Sequence, residues 1–382
     1  MRRICPRGGS LSLLITVILA VPCSAQQSYS ELVLADNPIA YWQLDDAAQG
    51  AISNIGTGNI NATAVGDSFL EVGVPGLADP SNPAMRFGGP DLDIFDDTGT
   101  IFGGRVNIAD SVLTNSGGPY TEKTIELWFS ADDVDPESQQ IIYEQGGATR
   151  GMSIYVFDNQ VVAGAHNSNN DNGNVSTPWP GGVGAERELA FVSAPIEADT
   201  AYHIALVYEG DADGFDGTIT GYLDGVSMGV VEGIGSLFAH TDDAHIGGGL
   251  ETLFEDGGIG TDVDTELHYF QGVIDDVALY NRALSAGRIG VHLGNPLNAD
   301  VNNNGSVDFA DFLEISSNFN SPGEFSDGDV DFDGIVGMTD FIAWRNQFGG
   351  AAAASSVPEP STSLLAIVSL LAFPLFRRRR TR

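Results

Sequence analysis

Thr124-Ile125-Glu126-Leu127-Trp128-Phe129 decides the fold class, because Ile125, Leu127 and Phe129 fall on one face. That period of two marks a half-buried β-strand. The run extends to Ser130. Others of its kind are Ala40–Leu44, Gln140–Glu144, Met152–Phe157, His203–Tyr208, Thr218–Leu223, Val226–Val231 and Gly272–Tyr280. β-Branched and aromatic residues fill these runs, and Gly, Asn and Asp clusters separate them. Asp224-Gly225 is a two-residue hairpin turn between two of them. No stretch of 29–294 keeps a long helical period. Many antiparallel strands over this length predict an all-β sandwich or jelly roll.

Charge bounds the partners. The 382 residues carry 52 acidic and 16 basic side chains. Eight of the basic ones are arginines within seven residues of the N-terminus or six of the C-terminus, and Lys123 is the only lysine. Residues 26–357 hold 51 acidic and 8 basic side chains, a net charge of −43. Such a surface repels nucleic acid and anionic membranes and favours divalent cations. Disorder is the other explanation of so much charge. Against it, 42% of residues are hydrophobic and aromatics recur throughout.

Six segments carry a resemblance. They are Ala40-Tyr41-Trp42-Gln43-Leu44-Asp45, Met85-Arg86-Phe87-Gly88-Gly89, Ile125–Phe129, Tyr202–Tyr208, Tyr222-Leu223-Asp224-Gly225, and the closing Ile274-Asp275-Asp276-Val277-Ala278-Leu279-Tyr280-Asn281-Arg282-Ala283-Leu284-Ser285. In this order and spacing they resemble a LamG-like jelly roll of the concanavalin A type, spanning 26–294. The resemblance implies a two-sheet sandwich that binds carbohydrate or protein. Some members of the family hold a structural calcium, toward which Asp45, Asp46, Asp275 and Asp276 are candidates.

Residues 295–350 change character. Asp300-Val301-Asn302-Asn303-Asn304-Gly305-Ser306-Val307-Asp308-Phe309-Ala310-Asp311 repeats, without a gap, as Asp329-Val330-Asp331-Phe332-Asp333-Gly334-Ile335-Val336-Gly337-Met338-Thr339-Asp340. The pattern is that of a calcium loop. Positions 1, 3 and 5 give side-chain oxygens from Asp300, Asn302 and Asn304, and from Asp329, Asp331 and Asp333. Glycine at position 6 allows the sharp turn. Ser306 and Ile335 give backbone carbonyls at position 7. Asp308 stands at position 9 of the first loop, where the second has Gly337. Asp311 and Asp340 close the shell. Phe312, Ile315 and Phe319, then Phe341, Trp344 and Phe348, follow at helical spacing. Two loops, each followed by one short helix, resemble a dockerin, a small α-helical domain built on paired calcium (Ca2+) loops. Dockerins of cellulosomes place polar recognition residues at positions 10 and 11. Here Phe309-Ala310 and Met338-Thr339 depart from that pattern.

The chain ends carry sorting signals. Arg2, Arg3 and Arg7 precede the apolar run Leu11–Val21, and Cys23-Ser24-Ala25 gives a small-residue cleavage site. Residues 1–25 are expected to be a signal peptide. Pro22 argues against lipidation at Cys23. Cys5 is the only other cysteine, so the mature protein has none, which excludes disulfides and thiol chemistry. After a linker at 351–356, Val357-Pro358-Glu359-Pro360-Ser361 opens a tail with apolar run Leu364–Phe376 and the cluster Arg377–Arg380. As a helix the run reaches about 20 Å, short of a bilayer core of about 30 Å. Residues 357–382 resemble a PEP-CTERM sorting signal, as opposed to a permanent anchor. The resemblance implies a Gram-negative bacterium, an exosortase-type processing enzyme and only transient membrane contact.

Catalytic signatures are sparse. Gly225-Val226-Ser227-Met228-Gly229 matches G-x-S-x-G, but a nucleophile elbow needs strand, turn and helix, and this string runs from a hairpin turn into a strand. The alternating carboxylates of laminarinase-type hydrolases, a zincin helix, a P-loop and a dinucleotide fingerprint do not occur. His203 in its strand reads as packed or hydrogen-bonded. Asp211–Gly217 reads as a third calcium loop or as an acidic hairpin loop. Trp42 and Trp128 read as core, Trp179 as a sugar-stacking residue, and Asn167–Asn174 as a polar loop on a binding face. The sequence therefore points to a secreted, non-enzymatic adhesion or matrix protein of the outer surface. It would bind glycan or a surface or matrix protein through the jelly roll and calcium through 295–350. A polysaccharide-degrading enzyme, or a subunit of a degradative complex, is the alternative.

Overall fold

Ile125, Leu127 and Phe129 face the interior, each at most 1% exposed, in the strand Glu122–Ala131. Cross-strand registry sets Leu127 opposite Ile204, Ile125 opposite Leu206 and Leu279, and Phe129 opposite Ile274. The computed structural model describes residues 27–46, 48–66, 69–88, 103–136, 139–147, 150–168, 187–213, 216–249 and 268–348.

Two antiparallel sheets of eight strands form a sandwich. The first runs, in spatial order, through Val226–Ile234, Gly217–Leu223, Tyr202–Glu209, Glu122–Ala131, Gln271–Tyr280, Pro83–Gly88 and Leu70–Pro75, with Ala40–Trp42 also paired to Gln271–Tyr280. The second runs through Arg187–Pro195, Gln160–Ser168, Arg150–Phe157, Gln140–Gly147, Ala244–Ile246, Arg105–Ile108, Ala62–Val65 and Gly50–Ile52. Val106, Ile108, Met152, Ile154, Val156, Ala244 and Ile246 of the second sheet meet the inner face of the first in one core. Truncating a side chain such as Leu127 to Ala would cost about 2–5 kcal/mol by loss of transfer energy plus a cavity.

All eight expected strands lie in these sheets. Leu44, expected to end the first, stands outside it with a left-handed φ of 58°. Asp224 and Gly225, at φ 49° and 76°, make the expected two-residue turn, which needs positive φ at both positions. Trp42 is fully buried in the core. Trp128 is not between the sheets. It lies on the outer face of the first sheet, edge-on to Tyr29 at 5.9 Å.

The stretch expected to be all β also holds two helices, α1 (Tyr29–Ala35) and α2 (Ala286–His292). Each has seven residues, too short to show a helical period. Serine caps define their starts: Ser28 and Glu31 form a capping box, and Ser285 Oγ accepts from Arg288 N. Both helices cover the outer face of the first sheet through Tyr29, Val33 and Ile289, with Leu284 just before α2, packed on Tyr41, Ala205, Ala278 and Tyr280.

Beyond α2, α3 (Phe309–Ser317) and α4 (Met338–Gln347) follow the two repeats. They enclose a separate small core of Val301, Ile315, Val330, Val336, Ala343 and Trp344. Phe312 meets Trp344 at 5.0 Å and Phe341 at 6.0 Å, so the two apolar stripes pack on each other. Phe319 and Phe348 are largely outside this core, at 37% and 49% exposure. Among the described residues no helix is long and apolar enough to cross a membrane. The expected signal peptide, the 351–356 linker, the sorting tail and Trp179 lie outside the described residues, as does 169–174 of the expected polar loop.

Candidate metal loops and a polar face of the sandwich

The two repeats close on themselves bond for bond. In the first, Asp300 accepts from Asn304 N (3.0 Å) and Gly305 N (2.8 Å). In the second, Asp329 accepts from Asp333 N (3.1 Å) and Gly334 N (2.9 Å). Asp311 accepts from Asn302 N and Asp308 N, and Asp340 from Asp331 N and Gly337 N. Asn304 Oδ1 takes Ser306 N, as Asp333 Oδ1 takes Ile335 N. Gly305 and Gly334 both sit at φ 89°, a conformation open to glycine at position 6.

The second loop is thereby wound so that its oxygens converge. Asp311 and Asp340 are fully buried, and Asp300, Asp329 and Asp331 are at most 8% exposed. Carboxylate oxygens of Asp329, Asp331 and Asp333 lie within 4.8 Å of one another. Burial, together with the charges of Asp340, Asp331 and Asp333, lifts Asp329 to about 6 despite the Gly334 N–H. Asp331 and Asp340 are raised in the same way. Buried carboxylates crowded like this call for a cation. The donor set is oxygen only, which suits a hard ion such as calcium. Asp308, at position 9 of the first loop, also caps α3, its Oδ1 accepting from Ala310 N. Asp211 makes a turn of its own, accepting from Asp213 N and Asp216 N, with residues 214–215 outside the described set.

On the sandwich, the outer face of the second sheet carries a polar row that sequence reading did not find. Registry places Thr63, Asn107, His245, Glu144 and Ser153 side by side on five successive strands. His245 Nδ1 is 2.7 Å from Glu144 Oε2, and Glu144 is 2% exposed. Gly249 passes close to this pair: a Cβ there would sit 2.7 Å from Glu144 Oε2, so the carboxylate would have to shift. Arg105 Nη1 and Asn107 Oδ1, two residues apart on one strand, are buried without a hydrogen-bond partner. Buried polar atoms are ordinarily paired, so such a pair marks a place where a polar ligand or water is due. Tyr155, Val162, Leu189 and Ile141 form an apolar cluster on the same sheet.

A third cluster lies under the helices, on the outer face of the first sheet. Glu126 is fully buried and meets Tyr280 OH (2.5 Å), His203 Nε2 (3.2 Å) and His292 Nδ1 (3.1 Å). His292 Nε2 meets Asp36, which also pairs with Arg288 and Arg282. Burial alone would raise Glu126, but His292 and His203 outweigh it and hold the carboxyl well below the usual range. His203 is thus hydrogen-bonded, as its strand position suggested. Asp275 and Asp276 are almost fully buried: burial and the Asp276 charge push Asp275 up to about 8, and burial with the charges of Asp45 and Glu126 pushes Asp276 up to about 6. Asp46 accepts from Ser53 N. Ser227 lies exposed in the strand Val226–Ile234, its Oγ accepting from Gly229 N, with no helix after it.

No curated protein matches the chain. Solved structures similar to it include the binding domain of botulinum neurotoxin DC, solved with rat synaptotagmin II (TM-score 0.42, 11% identity, 68% of this chain and 51% of that one). Another is the binding domain of Paraclostridial Mosquitocidal Protein 1 (0.43, 11%, 68% and 52%). A third is domain 4 of a GH43 extracellular arabinanase from Geobacillus stearothermophilus, solved with arabinotriose (0.40, 12%, 67% and 98%). The chain spans about half the length of the two toxin structures. A family model described as Concanavalin A-like lectin/glucanases superfamily matches residues 98–290, which include eleven of the sixteen sandwich strands. With half of its length matched in this way, the chain belongs to the concanavalin A-like lectin/glucanases superfamily.

Proposed function

We propose that the chain is an exported, non-enzymatic binding protein whose sandwich takes a glycan on the outer face of the second sheet. The observation that carries this reading is the pair of buried, unpartnered atoms Asn107 Oδ1 and Arg105 Nη1, beside the His245–Glu144 pair. Sugar hydroxyls both donate and accept, and so would satisfy an amide oxygen and a guanidinium together. A glycosidase needs two carboxyl groups flanking the bond it cleaves. Among the described residues of the polar row Glu144 is the one carboxylate, with His245 Nδ1 2.7 Å from it.

The C-terminal unit, in this reading, is dockerin-like. Asp300, Asn302, Asn304, Asp308 and Asp311, with the Ser306 carbonyl, hold one calcium. Asp329, Asp331, Asp333 and Asp340, with the Ile335 carbonyl, hold the other. The signal peptide and the PEP-CTERM-like tail would deliver the protein to the outer surface or matrix of a Gram-negative cell after exosortase-type processing. Intact mass of the native protein tests the delivery: it should begin at Gln26 and lack Arg377–Arg380.

Co-sedimentation with insoluble polysaccharides, together with a reducing-end assay, tests the function. Binding without release of reducing ends is expected. Steady release that scales with protein concentration would establish the degradative alternative.

A further inference from the structure

We infer that the second calcium loop is also the surface by which the C-terminal unit docks on the sandwich, so that calcium in this loop and the packing of α2 are coupled. The first loop takes no part. This rests on the reading that 329–340 holds calcium.

Phe332 stands at position 4 of the loop, between two candidate ligands, Asp331 and Asp333. Its φ is 60°, the left-handed conformation. Its ring lies against Gly287 of α2 so closely that a Cβ at 287 would sit 2.3–2.6 Å from three ring atoms. Phe325 stacks on Phe332 at 5.4 Å and 11°. Two hydrogen bonds join the same surfaces: Arg288 Nη1 donates to Asp331 O (3.0 Å, buried), and Ser285 Oγ donates to Phe332 O (3.4 Å). Arg288 is itself held, through Nε, by Asp36 at 2.5 Å, and Asp36 by His292 at 2.7 Å. Contacts therefore run without a break from a candidate calcium ligand to Glu126 in the first sheet.

At this position the first loop has no aromatic residue. Its residue is Asn303, also left-handed (φ 52°), but polar and exposed. Among the described residues, the hydrogen bonds of the first loop all end within 298–347. Clefts of about 560 and 420 Å³ flank the docked loop, lined by Asp331 and Arg288 on one side and by Asp333 and Arg282 on the other. The contact is therefore narrow and centred on the loop.

Coupling follows from the peptide geometry. Asp331 turns its carboxylate toward the other ligands, its N–H to Asp340 and its carbonyl to Arg288. An ion that fixes the loop fixes the Asp331–Asp333 backbone that presents Phe332. By linkage, docking must then raise calcium affinity by the factor that calcium raises docking.

Amide hydrogen exchange of α2 in the full chain, beside calorimetric calcium titration of the same samples, tests this. Calcium should slow α2 exchange about tenfold or more, within the usual range of coupling. Asp311→Ala should keep the slowing and Asp340→Ala should lose it. Phe332→Asn copies the first loop, so it should still bind two calcium ions yet lose most of the slowing. Gly287→Ala gives a second reading, independent of the loop. Alanine is the better helix former, so without docking it should slow α2 exchange. Against the Phe332 ring it should speed exchange, and in the Phe332→Asn background the sign should reverse. Two calcium steps with α2 exchange indifferent to calcium would overturn the coupling and leave the calcium reading intact. No calcium heat at all would overturn both.

Discussion

His292 places Nδ1 3.0 Å from Glu126 Oε1, deep beneath α2, where neither side chain is exposed to solvent. Its other ring nitrogen is 2.7 Å from Asp36. Burial opposes charge on the ring, but Glu126 and Asp36 prevail and lift its pKa from 6.5 to about 9. Both nitrogens then donate at neutral pH.

A proton held more tightly in the folded chain stabilises it. That contribution is complete below pH 6.5 and lost as pH rises through about 9. It amounts to at most about 3 kcal/mol. Thermal melting in excess calcium should therefore show stability falling across this window, and His292→Gln should flatten the fall. Asp275, held near 8, slopes the same way at lower pH, so the informative quantity is parent minus variant. An unchanged slope in the variant would refute the assignment.

Glu126 compensates His292 and takes hydrogen bonds from His203 and Tyr280. Breaking a buried charged cluster by removing one partner costs about 3–5 kcal/mol. Glu126→Ala should lose stability on that scale in chemical denaturation, whereas an exposed change such as Glu314→Ala should stay within about 0.5 kcal/mol.

The second calcium loop offers four carboxylates, Asp329, Asp331, Asp333 and Asp340, and the first offers three, Asp300, Asp308 and Asp311. Affinity follows ligand charge. Calorimetry should resolve two steps, with Asp340→Ala weakening the tighter and Asp311→Ala the weaker, each by about tenfold or more. Calcium should also be needed to order 295–348, because its small core has few fully buried side chains.

Ser227 should be chemically inert. Its G-x-S-x-G string begins in the Asp224-Gly225 turn and continues as strand, and its hydroxyl is spent on Gly229 N. A fluorophosphonate probe should leave it unlabelled in the folded protein, and stoichiometric labelling would contradict a non-enzymatic reading.

What the sequence made legible was local. Each calcium loop is written in twelve consecutive residues, and the ten-residue strand Glu122–Ala131 is long enough to show its period. The polar row was not legible. Asn107 and His245 lie in strands of four and three residues, too short for a pattern, and His245 meets Glu144 across 101 positions. The docking of α2 was hidden for the same reason: Arg288 and Asp331 are 43 positions apart, and nothing local marks them as partners. Trp128 shows a different limit. It is half-buried, under Tyr29 of α1, a two-turn helix that a sequence pattern does not reveal, and beside His203.

The most direct test of the account is a glycan microarray probed in parallel with the parent chain, Asn107→Ala and His245→Ala, each first shown to melt like the parent. The account predicts that the parent binds a defined group of glycans and that both variants lose most of that signal. A parent that binds no glycan, or variants that bind as the parent does, would contradict it.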